Sequence, residues 1–211
     1  MNQAPFVLHP PTGEGAHAQD LLILWHGAGG DIDQPLLKEL ARAFADAGGT
    51  ACRARFPYRI AGRKMPDRMP SLVAAARATV LEVQANLQSP PRHLYLGGRS
   101  MGGRVASMLA AEGAEMSGLI FLSYPLHSEK KPEQLRDQHL YGLRVPMLFV
   151  QGDRDALAEM PRLGPVLARL GDQATFELFP GADHTFSKVD PAEVVRRTLA
   201  WLSKRTELSA G

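Results

Sequence analysis

Short apolar runs that alternate with longer segments of helical period constrain the fold of this chain more than any other sequence feature. The runs are largely apolar at consecutive positions, as expected for strands buried on both faces of a sheet. The segments between them repeat apolar residues at helical spacing, which is the pattern of β-α units around a parallel sheet. The predicted strands are Asp20–Trp25, Thr50–Phe56, His93–Gly97, Ser117–Ser123, Val145–Gln151 and Ala174–Phe179, with Phe6–His9 added as an edge strand.

The segments between the runs predict five helices that cover both faces of the sheet, which gives a three-layer α/β architecture. Ser71 is expected to cap the second helix, and Asp190 followed by Pro191 to begin the last one. No segment is long enough to form a large cap domain. The predicted helices are Pro35–Ala47, Ser71–Gln88, Ser100–Glu112, Ala156–Leu170 (kinked near its two prolines) and a last helix from Pro191 through Trp201.

The composition is that of one ordinary globular domain over residues 1–211, with 45% hydrophobic and 22% charged residues. A net charge of +2 argues against a general nucleic-acid binder, and the single cysteine, Cys52, excludes an internal disulfide and a cysteine-rich zinc site. Residues 1–10 lack the features of a signal peptide, and the apolar runs are too short to span a bilayer. We therefore expect a cytoplasmic protein without a nucleic-acid or membrane partner.

A serine at a predicted strand-to-helix turn is the strongest chemical signal in the chain. Ser100 is the centre of the sequence Gly98-Arg99-Ser100-Met101-Gly102, a G-x-S-x-G pattern that follows one predicted strand and opens the next helix. Such a turn exposes the serine Oγ and brings the next residue's N–H to a helix amino end, where an oxyanion is stabilised. The pattern predicts that Ser100 is a nucleophile.

The glycine-rich sequence His26-Gly27-Ala28-Gly29-Gly30 closes an earlier predicted strand. A loop of this kind supplies the second oxyanion donor in many serine hydrolases, and we expect the Ala28 N–H to pair with the Met101 N–H, with Gly29 as the reserve. It could also cradle a phosphate, but the spacings typical of phosphate-binding loops are absent. His26 is expected to be structural.

The base and the acid should follow the nucleophile in the chain, in the order serine, acid, histidine. His184 follows the last predicted strand, where its Nε2 could accept the Ser100 proton. Two aspartates, Asp153 and Asp155, follow the strand before it, and Asp155 is preferred because it lies where the loop turns into the next helix. Cys52 is expected to be a packed core residue, and no metal-binding pattern occurs.

Basic residues concentrate in the segment 57–70, which follows a predicted strand at the edge where ligand sites form. One interpretation is that Arg59, Arg63 and their neighbours are solvated loop charges. The alternative is that Arg59 and Arg63 face the site and attract a carboxylate or phosphate on the substrate.

The chain resembles the α/β-hydrolase superfamily from Asp20 to Leu202. More closely, it is similar to the small family of predicted hydrolases that includes testis-expressed protein 30 and a subunit of the NSL chromatin complex. More distantly it is similar to dienelactone hydrolases, which use a cysteine where this chain has Ser100. The segments that carry the resemblance are H-G-A-G-G, Phe56-Pro57-Tyr58, Gly98–Gly103, Ser123–His127, Lys131–Arg136, Gln151-Gly152 and Gly181–His184.

The resemblance implies the α/β-hydrolase fold without a large cap, a Ser-His-Asp mechanism and no cofactor. Within its segments, Tyr124 and His127 are candidates for substrate contact. We expect an enzyme that cleaves an ester or related acyl bond of a small molecule, and we allow for a homodimer. Two alternatives stay open: a catalytically silent interaction protein with this fold, and an acyltransferase or peptidase that uses the same three residues.

Overall fold

A seven-stranded sheet forms the centre of the structure, a computed structural model that describes residues 4–208. Its strands are β1 (Phe6–His9), β2 (Asp20–Trp25), β3 (Thr50–Ala54), β4 (His93–Arg99), β5 (Gly118–Leu122), β6 (Met147–Gly152) and β7 (Ala174–Phe179). Their order is β1-β3-β2-β4-β5-β6-β7, with β1 antiparallel to β3 and the other described pairs parallel. The predicted strands are confirmed to within two residues at each end. Residues 1–3 and 209–211 of the predicted domain lie outside the described part.

Helices cover both faces of this sheet, as the sequence predicts. Those described are α1 (Pro35–Asp46), α2 (Pro57–Ile60), α3 (Met69–Ala85), α4 (Met101–Ala111), α5 (Met160–Leu170) and α6 (Pro191–Leu208). The short helix α2 lies in the basic segment for which the sequence shows no period. No stretch within residues 4–208 forms a cap domain over the carboxyl edge of the sheet, and no helix described there is long and apolar enough to cross a membrane.

The start of α3 differs from the prediction. The helix begins at Met69, so Ser71 lies within its first turn and is not the cap. Pro70 explains the earlier start, because a proline in the first turn forfeits no helical hydrogen bond and its fixed φ suits the helix. Arg68 occupies the N-cap position, and its side chain makes no capping bond.

The start of α5 is also later than predicted, at Met160 instead of Ala156. The intervening residues form turns held by Asp155, whose Oδ1 accepts a 2.8 Å hydrogen bond from the Leu157 N–H. The Asp155 carbonyl accepts a second bond, of 3.1 Å, from the Ala158 N–H. The carboxyl end of β6 is therefore fixed in place before the helix begins.

Alternate residues of the central strands pack into two separate cores, one on each face of the sheet. Leu21, Ile23 and Trp25 of β2 face the core beneath α3, α4 and α5, and Leu22 and Leu24 face the core beneath α1 and α6. All five side chains are fully buried, which explains the unbroken apolar run in the sequence. The carboxyl ends of the parallel strands thus meet at one rigid edge, where the loops after β2, β4, β6 and β7 gather.

Candidate active site

Ser100 lies on a strained turn between β4 and α4. Its backbone has φ +49° and ψ −113°, a conformation that costs a residue with a side chain of order 1–3 kcal/mol. The turn passes very close to β2: a Cβ on Gly98 or on Gly102 would lie 2.1 Å or 2.2 Å from the Trp25 carbonyl oxygen. Glycine is therefore required on both sides of the serine, which is the physical basis of the G-x-S-x-G pattern.

A chain of two hydrogen bonds links Ser100 to His184 and His184 to Asp155. His184 Nε2 lies 2.9 Å from Ser100 Oγ, and His184 Nδ1 lies 2.7 Å from Asp155 Oδ2. The carboxylate selects the tautomer in which Nδ1 carries the proton and donates to it, so that Nε2 accepts the proton of the serine hydroxyl. This arrangement can remove a proton from Ser100 when Oγ attacks an electrophilic carbon.

Asp155, and not Asp153, is the aspartate that contacts the imidazole. Its carboxylate is fully buried and accepts hydrogen bonds from the Gln151 side-chain amide and the Leu157 N–H as well as from His184. Asp153 is exposed, and its Oδ1 accepts a 2.6 Å bond from the Gly181 N–H. The two aspartates therefore hold two different parts of the site.

The loop that carries His184 is braced from two sides. Asp183 accepts hydrogen bonds from the side chains and backbone N–H groups of Thr185 and Ser187, and these bonds, chiefly the Thr185 hydroxyl, hold the pKa of this carboxyl well below its usual range. On the inner side, Arg99 Nη2 donates a 2.5 Å bond to the His184 carbonyl oxygen. No local sequence pattern indicates this contact, because Arg99 and His184 are 85 residues apart.

The backbone of the glycine-rich loop after β2 presents a free N–H beside Ser100. The Gly27 carbonyl oxygen accepts bonds from His26 Nδ1 at 2.8 Å and from the Gly30 N–H at 3.0 Å. Because the C=O and N–H of a trans peptide point in opposite directions, these bonds aim the Ala28 N–H away from the loop. Within residues 4–208, neither the Ala28 N–H nor the Met101 N–H donates to a protein acceptor, and both residues line the pocket next to Ser100.

Two residues beneath that loop hold its shape. His26 is buried, its Nε2 accepts a 3.3 Å bond from the Phe56 N–H, and burial lowers its pKa, so the ring is a neutral structural group. Tyr58, for which the local sequence indicates no function, donates a 2.8 Å bond to the Ala28 carbonyl oxygen. Burial raises the pKa of Tyr58 to about 12, so the phenol stays a donor at neutral pH. Gly29 is exposed and does not line the pocket.

A pocket of about 560 Å³ opens beside Ser100. Of the two candidates for substrate contact on the loop after β5, His127 lines it, and its Nε2 lies 3.2 Å from Glu159 Oε2. Tyr124 does not, because its ring is fully buried in the core and its hydroxyl donates to the Arg136 carbonyl oxygen at 2.7 Å. The expected contact between Tyr124 and substrate is therefore not supported by its position.

The expected contacts of Arg59 and Arg63 with substrate are also not supported. Neither side chain lines the pocket, and each lies against an aspartate. Arg63 Nη2 is 2.7 Å from Asp67 Oδ1, and Arg59 Nη2 is 3.5 Å from Asp31 Oδ2. Each guanidinium therefore has a carboxylate beside it, which Arg59 shares with Arg55, and the concentration of basic residues in the sequence could not reveal this.

The remaining chemical groups lie away from this site. Cys52 is fully buried in β3, and burial raises its pKa to about 12, which makes it a core residue without reactivity. Within the described residues, no group of three histidine, cysteine, aspartate or glutamate side chains is arranged to hold a metal ion.

The chain is similar to a known protein family and to several solved structures. A family model described as "Alpha/beta hydrolase domain" matches residues 18–200. Among solved structures, a lidless α/β serine hydrolase from Xanthomonas campestris is 22% identical, with a TM-score of 0.74 over 90% of this chain and 84% of that one. An α/β serine hydrolase homologue from Coxiella burnetii is 19% identical, with a TM-score of 0.74 over 90% of this chain and 88% of that one.

A third similar structure is dienelactone hydrolase from Anabaena variabilis. It is 19% identical, with a TM-score of 0.74, and the match covers 93% of this chain and 89% of that one. At such identities the similarity establishes the fold and leaves the reaction to be argued from the residues of this chain.

Proposed function

We propose that this chain, which belongs to the α/β-hydrolase family, is a serine hydrolase that cleaves an ester or related acyl bond through an acyl-enzyme intermediate. The observation that carries the proposal is the unbroken hydrogen-bonded chain from Asp155 through His184 to Ser100, with links of 2.7 Å and 2.9 Å. The series of hydrogen bonds ends at Ser100, which lines an open pocket next to the unpaired N–H groups of Ala28 and Met101. Nucleophile, base and oxyanion donors can therefore act on one bound carbonyl, and Asp155 acts through His184.

In the first half of the reaction, Ser100 Oγ attacks the carbonyl carbon while its proton passes to His184 Nε2. The carbonyl oxygen takes the negative charge and accepts hydrogen bonds from the Ala28 and Met101 N–H groups, the second of which lies at the amino end of α4. The tetrahedral intermediate then collapses, the bond to the leaving group breaks, and the departing oxygen takes the proton from His184.

In the second half, water replaces the alcohol. His184 Nε2 accepts a proton from the water, whose oxygen attacks the acyl carbon, and the ester bond to Ser100 breaks with return of the proton to Oγ. Asp155 keeps the imidazole in the required tautomer and stabilises its cation in both halves. The buried position of Asp155 strengthens this interaction, since little water screens it.

A fluorophosphonate probe and a series of p-nitrophenyl esters of graded acyl length test this proposal. We expect the wild-type protein to be labelled and to hydrolyse at least one ester. Ser100→Ala should abolish labelling and lower turnover by about 10³-fold or more. Ser89→Ala, which removes an exposed serine outside the site, is the matched control and should behave as the wild type.

A folded protein that neither reacts with the probe nor cleaves any ester would contradict the proposal and favour the silent interaction protein. Transfer of the acyl group to an added alcohol or amine in preference to water would favour the acyltransferase.

Several finer sequence-based expectations remain proposals. They are the closer relationship to the family of testis-expressed protein 30 and the NSL-complex subunit, the extent of one domain over residues 1–211, a cytoplasmic location, and a homodimer. The small-molecule substrate and the absence of nucleic-acid and membrane partners belong with them.

A further inference from the structure

Two arginines in the pocket beside Ser100 have no carboxylate partner. Arg104 lies on α4 one turn after the serine, where its N–H donates a 3.1 Å bond to the Ser100 carbonyl oxygen. Arg136 lies in the loop after β5 and is held by its backbone: its N–H donates to Leu126 O and its carbonyl accepts from Tyr124, both at 2.7 Å. Both arginine side chains line the pocket, and both residues are half-buried.

The lack of a partner distinguishes this pair from the other arginines near the site. Within residues 4–208, neither guanidinium forms an ion pair or donates a hydrogen bond to a protein acceptor, and Arg104 Nε is buried without any partner. Arg59 and Arg63, by contrast, each lie against an aspartate. The pocket beside Ser100 therefore holds two guanidinium groups that have no carboxylate partner, unlike Arg59 and Arg63 of the basic segment 57–70.

The two guanidinium groups are also close enough to repel each other. Burial, and after it the charge of Arg136, lowers the pKa of Arg104. Two like charges in a half-buried pocket raise the free energy of the empty site, and an anion bound between them would lower it. Guanidinium groups present paired N–H donors that match a planar carboxylate.

The charged residues that line the pocket indicate which sign of charge it binds. Lys130 and Glu129 lie exposed at the rim, and Asp67 is already bonded to Arg63. Asp67 is compensated by Arg63, so with histidine counted as neutral the lining carries three cations (Arg104, Lys130, Arg136) and one free carboxylate (Glu129). This excess of positive charge favours an anionic group on the substrate, and the planar N–H forks of the two arginines match a carboxylate. Apolar groups of Met69, Leu72 and Leu157 complete the walls.

We propose that the substrate is an ester that carries a carboxylate away from the scissile bond, and that Arg104 and Arg136 bind this carboxylate. The inference rests on the proposed function, because it names the substrate class of that same site. It also moves anion recognition from Arg59 and Arg63 to a different pair of residues.

Two pairs of esters test the proposal. 4-Nitrophenyl hydrogen adipate and its methyl ester differ in a carboxylate on the acyl side, and 4-acetoxybenzoate and its methyl ester differ in one on the alcohol side. We expect the wild type to prefer the charged ester, as the ratio of kcat/KM values, by about tenfold or more in one pair. High salt should reduce this ratio, since the pocket is open to solvent.

Arg104→Gln and Arg136→Gln should each bring the ratio of kcat/KM for the charged ester to kcat/KM for its uncharged methyl ester close to one. Arg104→Lys, which keeps the charge but not the fork of donors, should retain part of it and guards against a folding defect in the glutamine variant. Arg77→Gln is the matched control, because it removes an equal charge from an arginine outside the pocket that is paired with Glu112 at 3.1 Å. Equal preferences in all these proteins would overturn the proposal.

Failure of the proposed function gives a different result. If the wild type cleaves neutral esters without charge preference, the hydrolase stands and the carboxylate subsite is wrong. If it cleaves nothing and does not react with a fluorophosphonate, the subsite is tested by calorimetric titration with monomethyl adipate. Binding to the wild type that is lost in Arg104→Gln supports the subsite without any turnover, and no binding to the wild type refutes it.

Discussion

Arg99 Nη2 donates a 2.5 Å hydrogen bond to the backbone carbonyl of His184, so the residue before the serine fixes the loop that carries the imidazole. Burial lowers the pKa of Arg99, and its Nε is buried without a partner, so the bond from Nη2 is the contact that orients this half-buried side chain. Two adjacent residues therefore hold His184: Arg99 bonds its backbone carbonyl, and Ser100 bonds its imidazole.

We predict that Arg99→Met lowers kcat by about 10- to 100-fold and leaves KM nearly unchanged, because the imidazole loses its position and not its chemistry. Arg99→Lys should recover part of kcat, since an ammonium group can still donate to the carbonyl. Steady-state kinetics measures both, with Arg154→Met, at an exposed residue near the site, as the control. A raised KM at unchanged kcat would instead make Arg99 a substrate-binding residue.

We predict that the same substitution has a large effect at one of the two aspartates after β6 and a small effect at the other. Asp155→Asn should lower kcat by about 10³- to 10⁴-fold, because an amide no longer selects the Nδ1–H tautomer of His184. Asp153→Asn should change kcat by less than about tenfold, because the Asn Oδ1 can still accept the bond from the Gly181 N–H. Single-turnover kinetics with circular dichroism of both variants checks this. The reverse ranking would assign the acid role to Asp153.

Tyr58→Phe removes the hydroxyl that holds the Ala28 carbonyl and should loosen the peptide that presents the oxyanion donor. We expect kcat to fall about tenfold, less than the 10²- to 10³-fold loss that follows removal of an oxyanion donor itself. Tyr141→Phe is the matched control, because its hydroxyl donates to Asp137 away from Ser100. An unchanged kcat in Tyr58→Phe would show that the Gly27 carbonyl bonds suffice to orient the loop.

At the opposite edge of the sheet, Asp20 joins β2 to β4 and α6. Its buried carboxylate accepts hydrogen bonds from His93 at 2.7 Å, Thr206 at 3.0 Å and His17 at 3.1 Å. Burial alone would raise the pKa of Asp20, but the bonds from His17, His93 and Thr206 outweigh it and the pKa is lowered. The stabilisation is therefore complete above the ordinary pKa of 3.8 and is lost as the pH falls through the lowered value.

We predict that Asp20→Asn lowers the free energy of unfolding by about 2–3 kcal/mol at pH 7, because a buried charged partner of three side chains is removed. The difference between wild type and variant should shrink below about pH 4, because Asp20 of the unfolded chain takes up a proton near its ordinary pKa of 3.8 and the folded carboxylate does so only at a lower pH. Urea unfolding at pH 7 and pH 3 measures it. Asp172→Asn, at an exposed position, should be neutral, and a difference that grows in acid would contradict the prediction.

Local patterns account for what the sequence predicted well. The strands and the three-layer arrangement follow from the apolar runs, because a strand that is buried on both faces is apolar at consecutive positions and is easily recognised. Ser100 and His184 were identifiable because the tight turn and the loop after the last strand each leave a short signature. Asp155 was preferred over Asp153 on its position in the turn alone, and the contact between Asp155 and His184 supports that preference.

Contacts between distant segments account for what the sequence missed. Arg59 stands among basic residues in the chain, yet Asp31, from the loop after β2, lies against it. Arg104 looks like an ordinary helical arginine, and only the packing of α4 beside the loop after β5 reveals that Arg136 is its neighbour. Tyr124 illustrates the same limit, since nothing in its local sequence indicates that its hydroxyl is occupied in the core.

The three residues of the hydrogen-bonded chain come from loops that are far apart along the polypeptide. Ser100 and His184 are separated by 84 residues, and Asp155 and His184 by 29, with β7 at the edge of the sheet between them. During synthesis the nucleophile thus exists long before its base, on a sheet that still lacks its last strand. The contact between Ser100 and His184 therefore forms only when distant segments of the chain come together, a step that costs more entropy than local contacts do. A nascent or truncated chain that ends before β7 carries Ser100 without His184.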